Sequence, residues 1–516
     1  MASSNKILIR STPTIKPTLL EYVDFESSKA EKDGKKMFDG ENTGYTQRRG
    51  ITEPVIMIGK VKLSRGSIKA LSIWQNDLLP TISITFIDDG HIFTSRGFPI
   101  SNILVSVFIQ STIKKLKSMA ADFLITSISS MPIPKSESVM YTLSGELNVP
   151  MFYGNFCKAF RNMTSIQALQ KVASELQLGF ADNQPEGTAD TMTWIMPNYT
   201  YHSFMKSIAK LAYVDDNNFF DFFIDRYYIL NFINVEKQFS KDKEIDTGFL
   251  ALDQLQIDKS RSDPEKDKEV EIEIPLVITN HPDSAQTELY ISDFAMVSNH
   301  GEIIRQNTLR KYLYWYDHGT NSEPENKTDD ANYRCQFIEP LMSTTENDGK
   351  IPQTVSIEEY QKLVTDGTTS APKVASSEWS GMQYGNAHSE YKYAELLNYH
   401  NWLETEKNML NVTLMGFNVN ILRGSRIKVD IYLDRQAAAA ANVMADDGDT
   451  SIVKNKLESG DAYADGKGAG VVLDKALSDF YYVSSMDYVY RGGKFETSLS
   501  LSRRHWLKQP ENKVNV

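Results

Sequence analysis

The chain has 516 residues, 41% of them hydrophobic and 24% charged, with a formal net charge of -12. That length predicts two to four domains with ample core, and the composition is that of an ordinary globular protein. The acidic balance excludes binding to nucleic acid through clustered Lys and Arg on phosphates, and no apolar run approaches the ~20 residues of a membrane helix.

The stretch that comes nearest to such a run, 219–235, is broken by Asp221, Asp225, Arg226 and Asn231. Cys157 and Cys335 lie far apart and show neither a disulfide framework nor metal-ligand spacing. They are expected as unpaired thiols of a protein made in a reducing cytosol. The opening segment has no apolar core of signal-peptide length. Without one, the sequons at Asn162, Asn198, Asn326 and Asn411 read as chance.

Residues 1–50 are polar and show little periodicity. They read as an extended arm, either a disordered tail or a segment that orders on a neighbouring subunit. Residues 51–149 form a first β module, with strands predicted at 55–63, 68–74, 81–88, 102–109, 122–129 and 139–147. Ile82, Ile84 and Phe86 alternate with Thr81, Ser83 and Thr85, the mark of a strand with one buried face. Gly, Pro and Asp punctuation between these strands, as at Asp88-Asp89-Gly90, suggests a small barrel or sandwich.

The period changes across 150–235, where an α+β unit is predicted. Thr164 followed by Gln167 is a capping-box pattern. Ile166, Leu169, Val172, Ala173 and Leu176 then share one helical face, and Gly179 is placed as the C-cap. A short strand (GFAD) and the segment 192–198 lead to a second helix opening near Thr200, with a stripe of Phe204, Met205, Ile208, Leu211 and Ala212. Two strands at 217–224 and 227–234 follow, joined by a two-residue turn at Asp225-Arg226.

Residues 236–275 read as an exposed charged linker. A second β module is predicted over 276–504, with a first strand beginning just before it at 274–279 and a second at 287–298. It carries polar insertions at 318–378 and 436–470, and residues 505–516 form a tail. A helix at 388–406 precedes a closing meander. There Leu410, Val412 and Leu414, then Ile427, Val429 and Ile431, then Leu499 and Leu501 alternate inward. Arg423-Gly424 and Gly492-Gly493 are its expected hairpin turns. The fold class expected is α+β, mainly β: two tube-like β-barrel domains with an inserted α+β linking domain.

No GxSxG, HExxH, Walker A or paired CxxC motif occurs. The adjacent carboxylates Asp88-Asp89, Asp215-Asp216 and Asp446-Asp447 read as turn chemistry. Residues 446–450 lack the twelfth-position Glu of a calcium loop. His281, His300 and His318 have no ligand spacing, and the row Tyr312, Tyr314, Trp315 and Tyr316 reads as strand or interface packing. No catalytic, metal-binding or cofactor-binding residue is predicted, and the chain is expected not to be an enzyme.

Three stretches resemble the baseplate hub proteins of contractile phage tails, a family that includes the T-even-type hub, the late-control D protein and the base of type VI secretion spikes. The first is the linking unit, carried by Trp194, Pro197, Phe204, Ile208 and Leu211. The second is the helix-then-strand passage ending in Gly416, Asn418, Ile421, Gly424, Ile427 and Val429. The third is the closing hairpin at 481–503. The resemblance implies a homotrimer whose paired β modules make a pseudo-sixfold ring, adapting a sixfold tail tube to a threefold spike and leaving a channel for DNA. It implies a central spike protein, tail tube and tube-initiation proteins, and inner baseplate or wedge proteins as partners, with the tape measure protein a further candidate. The site would be the virion baseplate, assembled in the host cytoplasm. Two alternatives stay open at this point: a wall-degrading or sugar-binding tail protein, and the spike base of a related injection system.

Overall fold

The structure is a computed structural model that describes residues 7–19, 54–93, 95, 103–109, 119–215, 218–239, 277–281, 289–298, 311–316, 333–338, 388, 391–418, 421–434, 471–474 and 477–503. The expected insertion at 436–470, with Asp446-Asp447, lies outside these residues, as do most of 318–378 and of the 236–275 linker. The fold is mainly β with a small helical complement, as the alternation in the sequence predicts.

The first module holds β2 (Pro54–Ile58), β3 (Val61–Lys62), β4 (Ile68–Gln75), β5 (Thr81–Asp88), β6 (Leu104–Ile109), β7 (Met119–Pro132) and β8 (Val139–Leu147). Residues 55–63, predicted as one strand, divide into β2 and β3 because Gly59 turns the chain with φ 58. The ladder runs β4-β5-β8-β7-β6-β2. The second module holds β14 (Val277–Thr279), β15 (Ile291–Ser298), β18 (Asn408–Met415), β19 (Arg426–Asp430), β22 (Asp479–Arg491) and β23 (Lys494–Ser502). Its ladder runs β15-β18-β23-β22-β19-β14.

These two ladders have the same connectivity. Taking the strands of each module in chain order, and leaving aside short β3, the second pairs the third and the third pairs the sixth. The sixth then pairs the fifth, the fifth the fourth and the fourth the first. Irregularities fall at matching places too. A bulge interrupts β4 between Ile68 and Ala70 and β15 between Ile291 and Asp293. Another interrupts β7 between Ile125 and Ser127 and β22 between Val483 and Ser485. The modules differ at the last pairing, which is antiparallel for β2 with β6 and parallel for β14 with β19. In the second module a single parallel bridge from Thr279 to Tyr290 returns the ladder to the start of β15.

The modules do not stand apart. β22 also pairs antiparallel with β4, so strands of both modules join one 13-stranded sheet. One face of this sheet packs the core, with Ile73, Ile82, Leu143, Met486, Tyr488 and Leu499 all buried.

The linking unit lies between the modules in sequence. Thr164 caps α1 (Ser165–Glu175) through the predicted reciprocal box with Gln167, and Thr200 caps α2 (Tyr201–Leu211). β9 (Asn155–Met163) pairs β11 (Met192–Thr200), and a second sheet runs β1-β10-β13-β12. Its strands are Leu8–Ser11, Gly179–Asp182, Ile229–Asn234 and Phe220–Ile224. Trp194 is fully buried, and its Nε1 donates to the Met163 carbonyl at 2.9 Å.

Six further expectations change. Residues 7–19 of the arm order on their own chain: β1 pairs β10, Arg10 forks onto Asp182 at 2.8 and 3.0 Å, and Thr18 donates to Asp122 at 2.9 and 2.8 Å. Gly179 is not the helix cap. Leu176 holds that position and Gln177 takes the positive φ of 60. Gly179 opens β10, where a Cβ would stand 2.8 Å from both Ile229 Cγ1 and the Ser11 carbonyl. The turn after β12 spans Asp225 to Tyr228, because the Asp225 carboxylate accepts from the Tyr227 and Ile229 amides at 2.8 and 3.1 Å. The expected linker begins in a helix, α3 (Val235–Phe239). The expected insertion at 318–378 contains a strand, β17 (Tyr333–Ile338), paired with β16 (Lys311–Tyr316). The meander is not one: β18 and β19 are not neighbours, since the β22–β23 hairpin lies between them. Alternation assigns faces to strands but not partners.

Candidate functional site

β22 is where both modules and the linking unit meet. Its inward residues Met486, Tyr488 and Tyr490 are buried, while Ser485, Asp487 and Val489 line the opposite face. One edge pairs β23 from Tyr482 to Arg491, closed by Gly492 and Gly493 at φ 57 and 82, as the Gly-Gly turn predicts. The other edge is divided. Residues 479–482 pair β19, and residues 486–491 pair β4, from Met486 opposite Gln75 to Arg491 opposite Ala70. The bulge at Ser484 stands where the strand changes partner; a bulge bends a strand and raises its twist, which lets one strand serve two.

The linking unit grips this seam through buried polar groups. Asp221 on β12 accepts from the Tyr482 hydroxyl at 2.7 Å and from Arg423 Nη2 at 3.0 Å. Arg423 also donates to the Asp77 carbonyl at 2.7 Å, and its guanidinium lies 4.6 Å from the centre of the Phe223 ring. Burial and the Asp221 charge push the Tyr482 phenol well above its ordinary value, so it remains a donor. The first module is held in the same way. The Tyr228 hydroxyl accepts from the Asp122 amide of β7 at 2.9 Å. Arg226, in the same turn, lies 5.3 Å from the ring of Tyr488 on β22. A further helix, α4 (Tyr391–Thr405), closes the end of α2: Asn398 Nδ2 donates to the Lys210 and Ala212 carbonyls, both at 3.0 Å. Trp402 Nε1 donates to the Phe220 carbonyl at 3.0 Å.

The outer face of the continuous sheet carries hydroxyls in rows. Ser72, Ser83, Ser144 and Ser127 face one another across four strands, and Thr85, Thr142 and Ser129 form the next row. In the second module Ser485, Ser500 and Asn411 form a matching row. Asp487 is a charge on this face, and loss of hydration pushes its carboxyl up to about 6. A raised carboxyl means that the folded state holds its proton more tightly than the unfolded one. The resulting stability is full below the ordinary carboxylate range and is lost as pH rises through about 6. Asp487→Asn is therefore expected to raise the melting midpoint at pH 7 and to flatten its decline between pH 4 and pH 6. Melts of both chains across that range check this; parallel curves would contradict it.

The residues weighed for chemistry are scattered. Asp88 accepts from the Ile92 and Phe93 amides, both at 3.0 Å, and Asp215 from the Asn218 amide at 3.1 Å, which are turn roles. His281 packs against Tyr432 at 4.7 Å, while His300, His318 and Asp216 lie outside the described residues. Tyr312, Tyr314, Trp315 and Tyr316 all fall on β16. Cys157 is an exposed free thiol. Among the described residues no group of three His, Cys, Asp or Glu is placed to hold a metal ion. Sequence reasoning missed the Asp221–Arg423–Tyr482 cluster. Its signal was there: a carboxylate inside FFDFFI has to find a buried partner.

In sequence the chain matches no protein-family model and no curated protein. Solved structures do resemble it. A tail protein from Neisseria meningitidis MC58 is 9% identical over 88% of this chain and 96% of its own, with a TM-score of 0.41. The 43 kDa tail protein of prophage MuSo2 from Shewanella oneidensis is 10% identical over 88% and 98%, also at 0.41. An E. coli component of the type VI secretion system is 8% identical over 88% and 79%, at 0.35.

Proposed function

We propose that this chain is a structural hub of a contractile phage tail baseplate, acting through its geometry and not through catalysis. One observation carries the reading: a single chain holds the same six-strand connectivity twice, joined edge to edge through β4 and β22. Three such chains present six near-equivalent modules to a sixfold tube and three linking units to a threefold spike. Two of the motif residues that resemble the hub family support the reading by their place in the linking unit and at its contact with the second module. Trp194 centres the linking unit, and Gly424 lies against it. The hydroxyl rows of the sheet, with the carboxylates Glu146, Asp487 and Glu496 on the same face, suit a channel wall, because a polar to acidic surface does not hold a passing polyanion. The partners are then the central spike protein, tube and tube-initiation proteins, inner baseplate or wedge proteins and the tape measure protein, in a virion assembled in the host cytoplasm.

The solution mass of the full chain tests this, alone and mixed with its spike protein. A particle of three chains in either condition is expected, with no peptidoglycan turnover. A monomer in both conditions, or turnover by that monomer, would contradict the reading.

A further inference from the structure

The seam inside the chain shows how two of these modules meet: the fifth strand of one pairs with the second strand of the other. Among the described residues, each chain also carries the complementary pair of edges unused. β7 is the fifth strand of the first module. Up to Leu124 its edge pairs β6; beyond the bulge at Thr126 that edge has no partner among the described residues. This repeats β22, which leaves β19 at Tyr482 and takes β4 after its own bulge. β15 is the second strand of the second module and, among the described residues, pairs β18 alone.

Burial separates the used edges from the unused ones. Tyr488 and Ile73, opposite one another in the seam, are both fully buried. Matching the bulges places Ser130 at the position of Tyr488 and Met296 at that of Ile73. Both Ser130 and Met296 are exposed. Three large apolar side chains lie open on these two edges: Met131 at 54%, Met296 at 48% and Val297 at 45%. A long exposed strand edge with apolar side chains is a template for another chain, and natural proteins cover it or blunt it. Pro132 stands only at the hairpin end of β7, leaving the amides among residues 127–131 that point away from β8 able to donate.

We propose that the outer part of β7 in one copy pairs antiparallel with β15 of a second copy of this chain. The register is that of the internal seam: Ser129 opposite Val297, Ser130 opposite Met296 and Met131 opposite Ala295. Each copy offers one edge of each kind, so the contact is heterologous and repeats from copy to copy. The inference deepens the hub reading and rests on it only for the number of copies at which the ring closes.

Cysteine pairs test it in the full chain with Cys157→Ser and Cys335→Ser. Facing residues of antiparallel strands come within disulfide range, and neighbouring pairs alternate between the two spacings. Mild oxidation is therefore expected to link copies through Ser130→Cys with Met296→Cys, or through Ser129→Cys with Val297→Cys, in a ladder that stops at three. Ser130→Cys with Ser292→Cys, displaced along the strand, is expected to give no link. Met296→Lys, on an exposed position that leaves each copy folded, is expected to weaken association about tenfold or more by burying an unpaired charge. Trimers that form without these links and ignore Met296→Lys would overturn the edge assignment and leave the hub reading standing. Links in open chains that pass three copies would uphold the edges and overturn the threefold ring. Copies that never associate would overturn both.

Discussion

Arg423→Ala is expected to cost about 3–5 kcal/mol of stability, because it strands a buried carboxylate. The Arg423 side chain is 10% exposed and that of Asp221 is 6% exposed, so water does little to replace the lost partner. The Tyr482 hydroxyl still donates to Asp221, but one neutral donor does not match a guanidinium. Arg423 also holds the Asp77 carbonyl, at the connection between β4 and β5, so the loss reaches both modules. Arg423→Lys is expected to recover only part of this, since an ammonium lacks the planar fork that serves two acceptors. Denaturant midpoints of the three chains check the order; a change under about 1 kcal/mol for Arg423→Ala would mean that the pair is solvated.

Gly424→Val is the second large effect, at about 2–5 kcal/mol, from two separate causes. Its φ of 85 is left-handed, which costs any L side chain about 1–2 kcal/mol. A Cβ there would also overlap Ile233 Cδ1 and stand 3.0 Å from Phe223 Cζ, inside the contact between the second module and the linking unit. Gly416→Ala separates the two causes. Gly416 has a φ of 92 with nothing within 4 Å of its Cβ position, so only the backbone cost remains. Thermal melts should place Gly416→Ala well above Gly424→Val. Equal losses would mean that packing against Ile233 and Phe223 contributes nothing.

These two residues mark what the sequence reveals and what it withholds. Strands Thr81–Asp88 and Val139–Leu147 are found residue for residue, because hydroxyl and apolar side chains alternate through their middles, from Thr81 to Phe86 and from Tyr141 to Ser144. The capping box at Thr164 and the Gly-Gly hairpin are local chemistry, and local chemistry can be read from neighbours in the chain. Gly424 and Gly179 were read as a turn and a cap, yet each is also demanded by a surface arriving from elsewhere: Phe223 and Ile233 in one case, Ile229 and Ser11 in the other. The pairing of Gln75 with Met486 joins segments about 400 residues apart, and period-2 alternation assigns faces without naming partners. The same limit hid the arm. Polar composition over residues 1–50 suggests a tail or an arm on a neighbouring subunit, while Arg10 and Thr18 find their acceptors on Asp182 and Asp122 of their own chain. The repeated connectivity is visible only in the ladders, since the equivalent residues Tyr488 and Ser130 share no chemistry.

The central claim is that this chain builds a ring of near-equivalent β modules. Electron-microscope imaging of the purified full chain, with its tube and spike partners added, tests it most directly. A threefold ring that looks sixfold at the level of the β modules is expected, with a continuous sheet around a hydroxyl-lined lumen. A monomer, or a ring in which the sheet breaks at every copy and the Ser83 and Ser144 face points outward, would contradict it.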